Sequence, residues 1–257
     1  MNQPTPAQRF TGLAEVYARH RPNYPAGVVD FMTTYGALRD GALVVDLGCG
    51  TGISTRLLAT RGWQVIGVDP NAEMLSVARA ETPSSLAVNY IQATAEAVPL
   101  GDAHADALLA AQAFHWFDSS RALAEAWRLL RPGGSLFLVW NERTVGDAFN
   151  DAFTALIHRY GEQAVALERQ RQAAGEVLLT APGWERACRE RFRHTQSLDA
   201  EGLLGRARSI SYAPQTKEAW EALADDLRRL FNAYQRDGRV IMKYTTTLYA
   251  ARKPLTA

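Results

Sequence analysis

Cysteine is scarce: Cys49 and Cys188 are the only two in 257 residues. Two thiols are too few for a disulfide scaffold or a zinc cage. An excess of one charge is missing as well. The chain has 28 basic and 27 acidic residues, a net of +1 with histidine neutral, which gives no support for a nucleic-acid partner. No apolar run reaches the roughly 18 residues expected of a membrane-crossing helix. The opening stretch MNQPTPAQRFTGLAEVYARHRPNYP lacks the apolar centre of a signal peptide. Low hydrophobicity, the mark of disorder, is absent too: 47% of residues are hydrophobic and 21% charged, as in ordinary globular chains. Internal repeats and low-complexity tracts are not found. The expectation is a cytoplasmic enzyme with no membrane and no nucleic-acid partner.

What is present is alternation. Short apolar runs at Ala42–Asp46, Gln64–Val68, Ala87–Gln92, Asp106–Ala111 and Ser135–Trp140 read as buried strands. Helical patterns separate them. The apolar spacing of Val28–Leu38 suits a helix, as do Ile53–Thr60 and Asn71–Glu81, the last with Asn71 as N-cap. Ser119 or Ser120 is expected to cap the next helix, and Pro132-Gly133-Gly134 to stop it. Strands alternating with helices argue a parallel sheet covered on both faces. Beyond Asn141 the pattern changes. Residues 147–174 are helical and charge-rich, Phe192–Ser197 reads as a short strand, Lys217–Tyr234 as an amphipathic helix, and Arg239–Ala251 as a long closing strand.

The first chemical signal is Asp46-Leu47-Gly48-Cys49-Gly50-Thr51-Gly52, a glycine loop between a strand and a helix. Glycine lets the backbone turn sharply and lets a ligand approach without meeting a Cβ. The dinucleotide fingerprint would need glycine at 53, where Ile53 stands. The acid before the loop, Asp46, suits a cationic ligand better than a pyrophosphate. The second signal is Asp69, at the end of the second strand. A carboxylate there can accept both hydroxyls of a ribose, in nicotinamide and adenosylmethionine sites alike.

VVDLGCGTG, VIGVDPNAEML, YIQATAEAVPL, AQAFHWFD and LRPGGSLFLVW, in that order, resemble the motifs of class I S-adenosylmethionine-dependent methyltransferases. AFHWFD together with YARHRPNYP is similar to the trans-aconitate branch of the methyltransferase type 11-like group. The resemblance covers Tyr17 to about Asn141. It implies a Rossmann-like, doubly wound α/β fold: a seven-stranded, mostly parallel sheet with an antiparallel final strand and a helical cap. It implies S-adenosyl-L-methionine as cofactor. Gly48 and Gly50 would pass under the methionine part, Asp46 would sit near the amino group through water, and Asp69 would hold the ribose diol. Thr94, Ala95 and Glu96 would line the adenine, and Gln112 would face the methionine end. In relatives an Asp or Asn often stands at the Thr94 position.

Transfer of a sulfonium methyl is an in-line displacement, so positioning and desolvation dominate. A base is needed only when the nucleophile arrives protonated. His115 follows the fourth strand and is the candidate base; the alternative is a histidine that orients a loop or packs on the cofactor. Tyr17, Arg21 and Tyr24 form an N-terminal cluster that the resemblance folds over cofactor and substrate. Arg21 could grip a carboxylate or be a surface arginine beside two packing tyrosines. Trp116 would form an apolar wall. Arg143, Arg208 and Tyr212 are further candidates to line the pocket, and several arginines at one cleft would favour an anionic substrate.

The expected organisation is a single domain. Residues 1–41 are a cap segment, 42–141 the cofactor-binding core, 142–190 a helical insertion or lid, and 191–257 the strands and helix completing the sheet. The leading function is methylation of a small molecule, an organic acid at oxygen. The alternatives are C-, N- or S-methylation of another metabolite, or a protein that binds S-adenosylmethionine without catalysis.

Overall fold

The computed structural model describes residues 12, 14–161, 164–214 and 216–256. Positions 1–11 and 13 of the expected cap segment therefore lie outside the described residues, as do positions 162 and 163 in the expected 147–174 helical stretch. The chain runs α1 (Ala14–His20), α2 (Ala26–Gly36), β1 (Leu43–Leu47), α3 (Ile53–Ala59), β2 (Gln64–Asp69), α4 (Ala72–Glu81), β3 (Val88–Gln92) and β4 (Ala105–Ala111). A single 3₁₀ turn, Phe114–Trp116, precedes α5 (Ser119–Leu129) and β5 (Leu130–Arg143). The remainder is α6 (Ala148–Tyr160), α7 (Ala164–Leu179), β6 (Glu185–Leu198), α8 (Ala200–Arg208), α9 (Lys217–Tyr234) and β7 (Val240–Arg252). Among the described residues no helix is long and apolar enough to cross a membrane.

The seven strands form one sheet in the order β3-β2-β1-β4-β5-β7-β6. Strands β1 to β5 run parallel to one another, and β7 runs antiparallel between β5 and β6. This is the seven-stranded, mostly parallel sheet with an antiparallel final strand that the resemblance implies. One face is packed by Ala122, Ala126 and Leu129 of α5 and Leu178 of α7. The other is packed by Val28, Val29 and Met32 of α2 and Leu58 of α3. Parallel strands buried on both faces read as continuous apolar runs, which is why they are visible in the sequence. A separate core joins Phe149, Phe153 and Ile157 of α6, Leu203 of α8, and Leu223 and Leu227 of α9 to Tyr244 of β7. The strand order reverses direction between β1 and β4, the switch point where open α/β sheets bind ligands beyond the carboxyl ends of their strands.

Several boundaries differ from the sequence expectation. The cap of α5 is Asp118, whose Oδ1 accepts from the Arg121 amide at 3.1 Å, rather than either serine. The Pro132-Gly133-Gly134 segment lies inside β5: pairing to β4 skips from Leu130 to Ser135, so the three residues form an irregularity in the strand rather than a loop before it. Strand β6 has 14 residues, not the six of Phe192–Ser197, because it pairs with β7 from Glu185↔Arg252 to Leu198↔Val240. Its solvent-facing positions carry Arg189, Arg191 and Arg193, which hide the strand in a hydropathy pattern. The stretch 142–190 thus includes the end of β5 and the start of β6 as well as two helices.

Candidate functional site

The glycine loop leaves β1 with Gly48, Gly50 and Gly52 all at positive φ, the region open to glycine at no steric cost. The Gly48 and Cys49 amides donate to the Val68 carbonyl at 2.8 and 3.0 Å, which pins the loop against β2. A Cβ on Gly48 would meet Ala113 Cβ at 2.5 Å, whereas one on Gly50 would meet nothing within 4 Å. Gly48 is required by packing, and Gly50 faces open space.

That space is a cavity of about 360 Å³ above the switch point, within the range of pre-formed small-ligand sites. Gly48, Gly50 and Asp69 form one wall, and Thr94, Ala95 and Glu96 another. Tyr17, Arg21 and Tyr24 cover it from the N-terminal side, and Gln112 and Trp116 close the far end. Asp69 is held at both oxygens: Oδ2 accepts from the Gly50 amide and Oδ1 from the Asn71 amide, each at 2.9 Å. Burial raises its pKa, and the two amides counter that effect. Glu96 Oε1 accepts from the Asp118 amide at 2.9 Å, which ties the Thr94–Glu96 wall to the start of α5.

Asp46 does not line this cavity. It is fully buried, and its Oδ2 accepts from Ser54 Oγ and Thr55 Oγ1, each at 2.7 Å. Oδ1 has no protein partner. Burial pushes its pKa up to about 6, the two hydroxyls pull it down, and Asp69 adds to the rise. Tyr24 is partly buried, and desolvation raises its hydroxyl pKa well above the ordinary value.

Gln112 sits at φ +58, a conformation rare outside glycine and asparagine. Its amide donates to the Val139 carbonyl at 2.7 Å and its Nε2 to the Asn141 carbonyl at 3.2 Å. Hydrogen bonds at both ends hold the strained residue at the mouth of β4, where such outliers often mark functional positions.

A second, smaller cavity of about 40 Å³ adjoins the first. The two share Tyr17, Arg21, Gln112 and Trp116 as walls. His115, Arg143 and Tyr212 line only the second. His115 Nδ1 accepts from Trp140 Nε1 at 3.3 Å, which places the ring proton on Nε2. Burial, then Arg171 and Arg21, lower its pKa to about 3. Arg143 donates to Glu168 Oε1 at 2.8 Å and to Thr154 Oγ1 at 2.8 Å. Arg21 lies over the Tyr17 ring at 4.5 Å and donates from Nε and Nη2 to the Ser209 carbonyl at 3.1 and 2.6 Å. Arg208 lines neither cavity; it donates to the Pro214 carbonyl and stacks on Trp220.

Three charged residues of the second cavity have no counterpart among the sequence-based candidates: Glu168, Arg171 and Arg206. Glu168 and Arg171 belong to a charged helix that reads as solvated, and Arg206 to a short helix with no motif. Asn71 and Met74 also line the first cavity. Asn71 is legible only as the cap of α4, which it is: its side chain accepts from the Glu73 and Met74 amides.

Residues 45–138 match the methyltransferase domain family. This segment holds the glycine loop, Asp69, the Thr94–Glu96 wall, Gln112 and His115. An uncharacterized methyltransferase of Mycobacterium tuberculosis is 47% identical over 134 residues, 52% of each chain. The chain thus spans about half the length of the curated relatives it matches at that identity. An uncharacterized methyltransferase-like protein of Schizosaccharomyces pombe is 29% identical over 242 residues, 92% of each chain. Among solved structures, a candidate type II methyltransferase of Anaeromyxobacter dehalogenans superposes with a TM-score of 0.68 at 22% identity, covering 91% of this chain and 98% of that one. Residues 45–138 are therefore similar to a methyltransferase domain, and the chain shares the fold of that solved structure.

Proposed function

We propose that the protein transfers a methyl group from S-adenosyl-L-methionine to an oxygen of a small organic acid, in the cytoplasm. The residues present suit the cofactor. Gly50 opens onto a cavity of suitable volume. Asp69 keeps lone pairs for the two ribose hydroxyls beyond its two amide bonds. Thr94, Ala95 and Glu96 would line the adenine, and Gln112 would face the methionine end. The orphaned Asp46 Oδ1, buried behind the loop, is an acceptor that a water-linked amino group would satisfy. Bound there, the cofactor supplies an electrophilic methyl on a sulfonium.

The observation that carries the acceptor class is the set of arginines around the second cavity: Arg21, Arg143, Arg171 and Arg206. Guanidinium groups recognise carboxylates through charge and paired hydrogen bonds. A carboxylate arrives ionised, so no base need remove a proton. The surroundings of His115 agree with that economy. Its Nδ1 already accepts from Trp140, and a pKa near 3 leaves it a poor proton acceptor at neutral pH. His115 thus serves as a fixed neutral wall of the acceptor site. Trp116 and the Arg21–Tyr17 stack separate the reacting atoms from water, and Gln112 holds the boundary between cofactor and acceptor.

Turnover tests the reading. Purified protein with S-adenosylmethionine and a panel of carboxylic acids, amines, thiols and activated carbon acids should produce S-adenosylhomocysteine with a carboxylic acid. Turnover confined to amines, thiols or carbon acids would move the function to the alternative classes. Cofactor binding with no turnover on any acceptor would favour a binding protein.

A further inference from the structure

Glu168 occupies the position an anionic ligand would take. Its Oε1 accepts from Arg143 Nη2 at 2.8 Å and from the Tyr212 hydroxyl at 2.7 Å, while Oε2 lies 2.8 Å from His158 Nε2. Among the described residues, Glu168 is the one carboxylate on the wall of the second cavity, against four arginines. Of the four, only Arg143 has it as an ion-pair partner. Arg206 is 4% exposed and donates to the Tyr244 and Ser209 hydroxyls, both neutral. Arg171 Nε is buried without a hydrogen-bond partner. Arg21 is turned to the Ser209 carbonyl.

Buried cations without counter-ions are unfavourable, and a buried donor left unpaired costs about 1–3 kcal/mol. A wall that keeps them is set up to receive more negative charge. Yet the cavity, at about 40 Å³, has room for little more than a water. The group filling the rest is Glu168 itself.

We propose, building on the carboxylate-acceptor reading above, that Glu168 is the internal occupant of an anion subsite, and that a carboxylate on the acceptor displaces it from Arg143 and Tyr212. The exchange trades one carboxylate for another on the same two donors, so that part is nearly neutral in energy. The gain comes from Arg171 and Arg206, which acquire a counter-ion. Arg171 is three residues from Glu168 on α7, so the two share a helix face and the helix need not leave for Glu168 to rotate away. His158, with 31% of its side chain exposed, can keep its contact with the displaced carboxylate or turn to water. An uncharged acceptor cannot compete for Arg143, so the subsite selects for charge by displacement. An esterified product has lost that charge, and the returning Glu168 favours its release.

The test is a titration of succinate into the full chain saturated with S-adenosylhomocysteine, followed by calorimetry. An internal competitor lowers apparent affinity by the fraction of time it vacates the site. Glu168→Gln keeps the shape and deletes the charge, so it should bind succinate about tenfold more tightly than the wild type. Dimethyl succinate should gain nothing, and adding Arg206→Met to Glu168→Gln should abolish the gain. If Glu168→Gln fails to fold, Glu168→Asp, shorter by one methylene, should shift affinity in the same direction by less. Wild type binding succinate as well as Glu168→Gln or better would overturn the displacement proposal and leave the carboxylate reading standing. Succinate binding to neither protein, with S-adenosylhomocysteine bound by both, would overturn the subsite and remove the main support for a carboxylate acceptor.

Discussion

The Gly50 amide donates to Asp69 Oδ2 at 2.9 Å, so the glycine loop and the end of β2 are one unit. The same carboxylate takes the Asn71 amide on its other oxygen. Asp69→Ala therefore removes the expected ribose contact and the brace of the loop together. Hydrogen bonds to a charged group are worth about 1.5–3 kcal/mol, so calorimetry with S-adenosylhomocysteine should show affinity reduced by at least about tenfold. Unchanged affinity would remove Asp69 from the cofactor site.

Two glycines two residues apart should respond differently. Gly48→Ala places a Cβ 2.5 Å from Ala113 Cβ and 3.1 Å from the Phe117 ring, at a φ of +69. Gly50→Ala has φ +53 but open space around the new carbon. Backbone strain of about 1–2 kcal/mol applies to both, and the collision to the first alone. Thermal unfolding should rank Gly48→Ala as clearly less stable than Gly50→Ala. Gly50→Ala should weaken cofactor binding more than its small loss of stability suggests, because the methyl projects into the ligand's space. Equal melting temperatures would count against the close packing of Gly48 on Ala113.

Asp46 sets a pH dependence of stability. Its folded pKa is raised to about 6, from 3.8. The fold therefore opposes ionisation: the penalty is absent below about pH 4 and complete above about pH 6. At pH 7 it amounts to about 3 kcal/mol. Asp46→Asn, which keeps an acceptor for Ser54 and Thr55, should be more stable than wild type at pH 7, with the difference vanishing as pH falls towards 4. His115, whose pKa is lowered, acts in the opposite sense, since its contribution is lost as pH falls from about 6.5 towards 3. The difference between the two proteins' unfolding curves isolates Asp46. A constant difference across that range would show that folding leaves the Asp46 pKa unshifted.

Arg206→Met should raise stability and impair acceptor use. It replaces a buried cation that lacks an acid partner among the described residues with an apolar side chain of similar length, a change often worth about 1–4 kcal/mol in favour of the fold. Tyr244 retains its bond to Gln196 Oε1 at 3.1 Å. The expected result is a higher melting temperature, an unchanged KM for the cofactor, and a KM for the acid raised by about tenfold or more. A lower melting temperature with an unaltered KM for the acid would make Arg206 a structural residue only.

On the carboxylate-acceptor proposal, His115→Ala should lower kcat by less than about tenfold, because no base step then depends on it. The profile of kcat/KM against pH should lack an inflection near 6.5. A loss of several hundredfold, with an inflection in the wild type that disappears in the variant, would restore the base assignment.

The parallel half of the sheet is legible in the sequence because its central strands β1 and β4 are buried on both faces and its glycines and Asp69 stand at strand ends. The second cavity is much less so. Glu168, Arg171 and Arg206 lie on helices whose charges look solvated in one dimension, and only the packing of α7 and α8 turns them inward. Strand β6 reads too short for a related reason: Arg189, Glu190 and Arg191 are consecutive exposed charges, so no apolar alternation marks that part of the strand. Arg143 and Tyr212 stand out as candidates, but their meeting point on Glu168 depends on contacts far apart in the chain.

The four residues common to both cavities fix an order of events. Tyr17 and Arg21 roof the larger chamber and wall the smaller, with Gln112 and Trp116 as the partition between them. On the proposed function, an acid seated first would engage Arg21, part of that roof, before the nucleoside has entered the larger chamber. Steady-state kinetics should therefore be sequential and ordered, with the methyl donor entering first and its demethylated form leaving last.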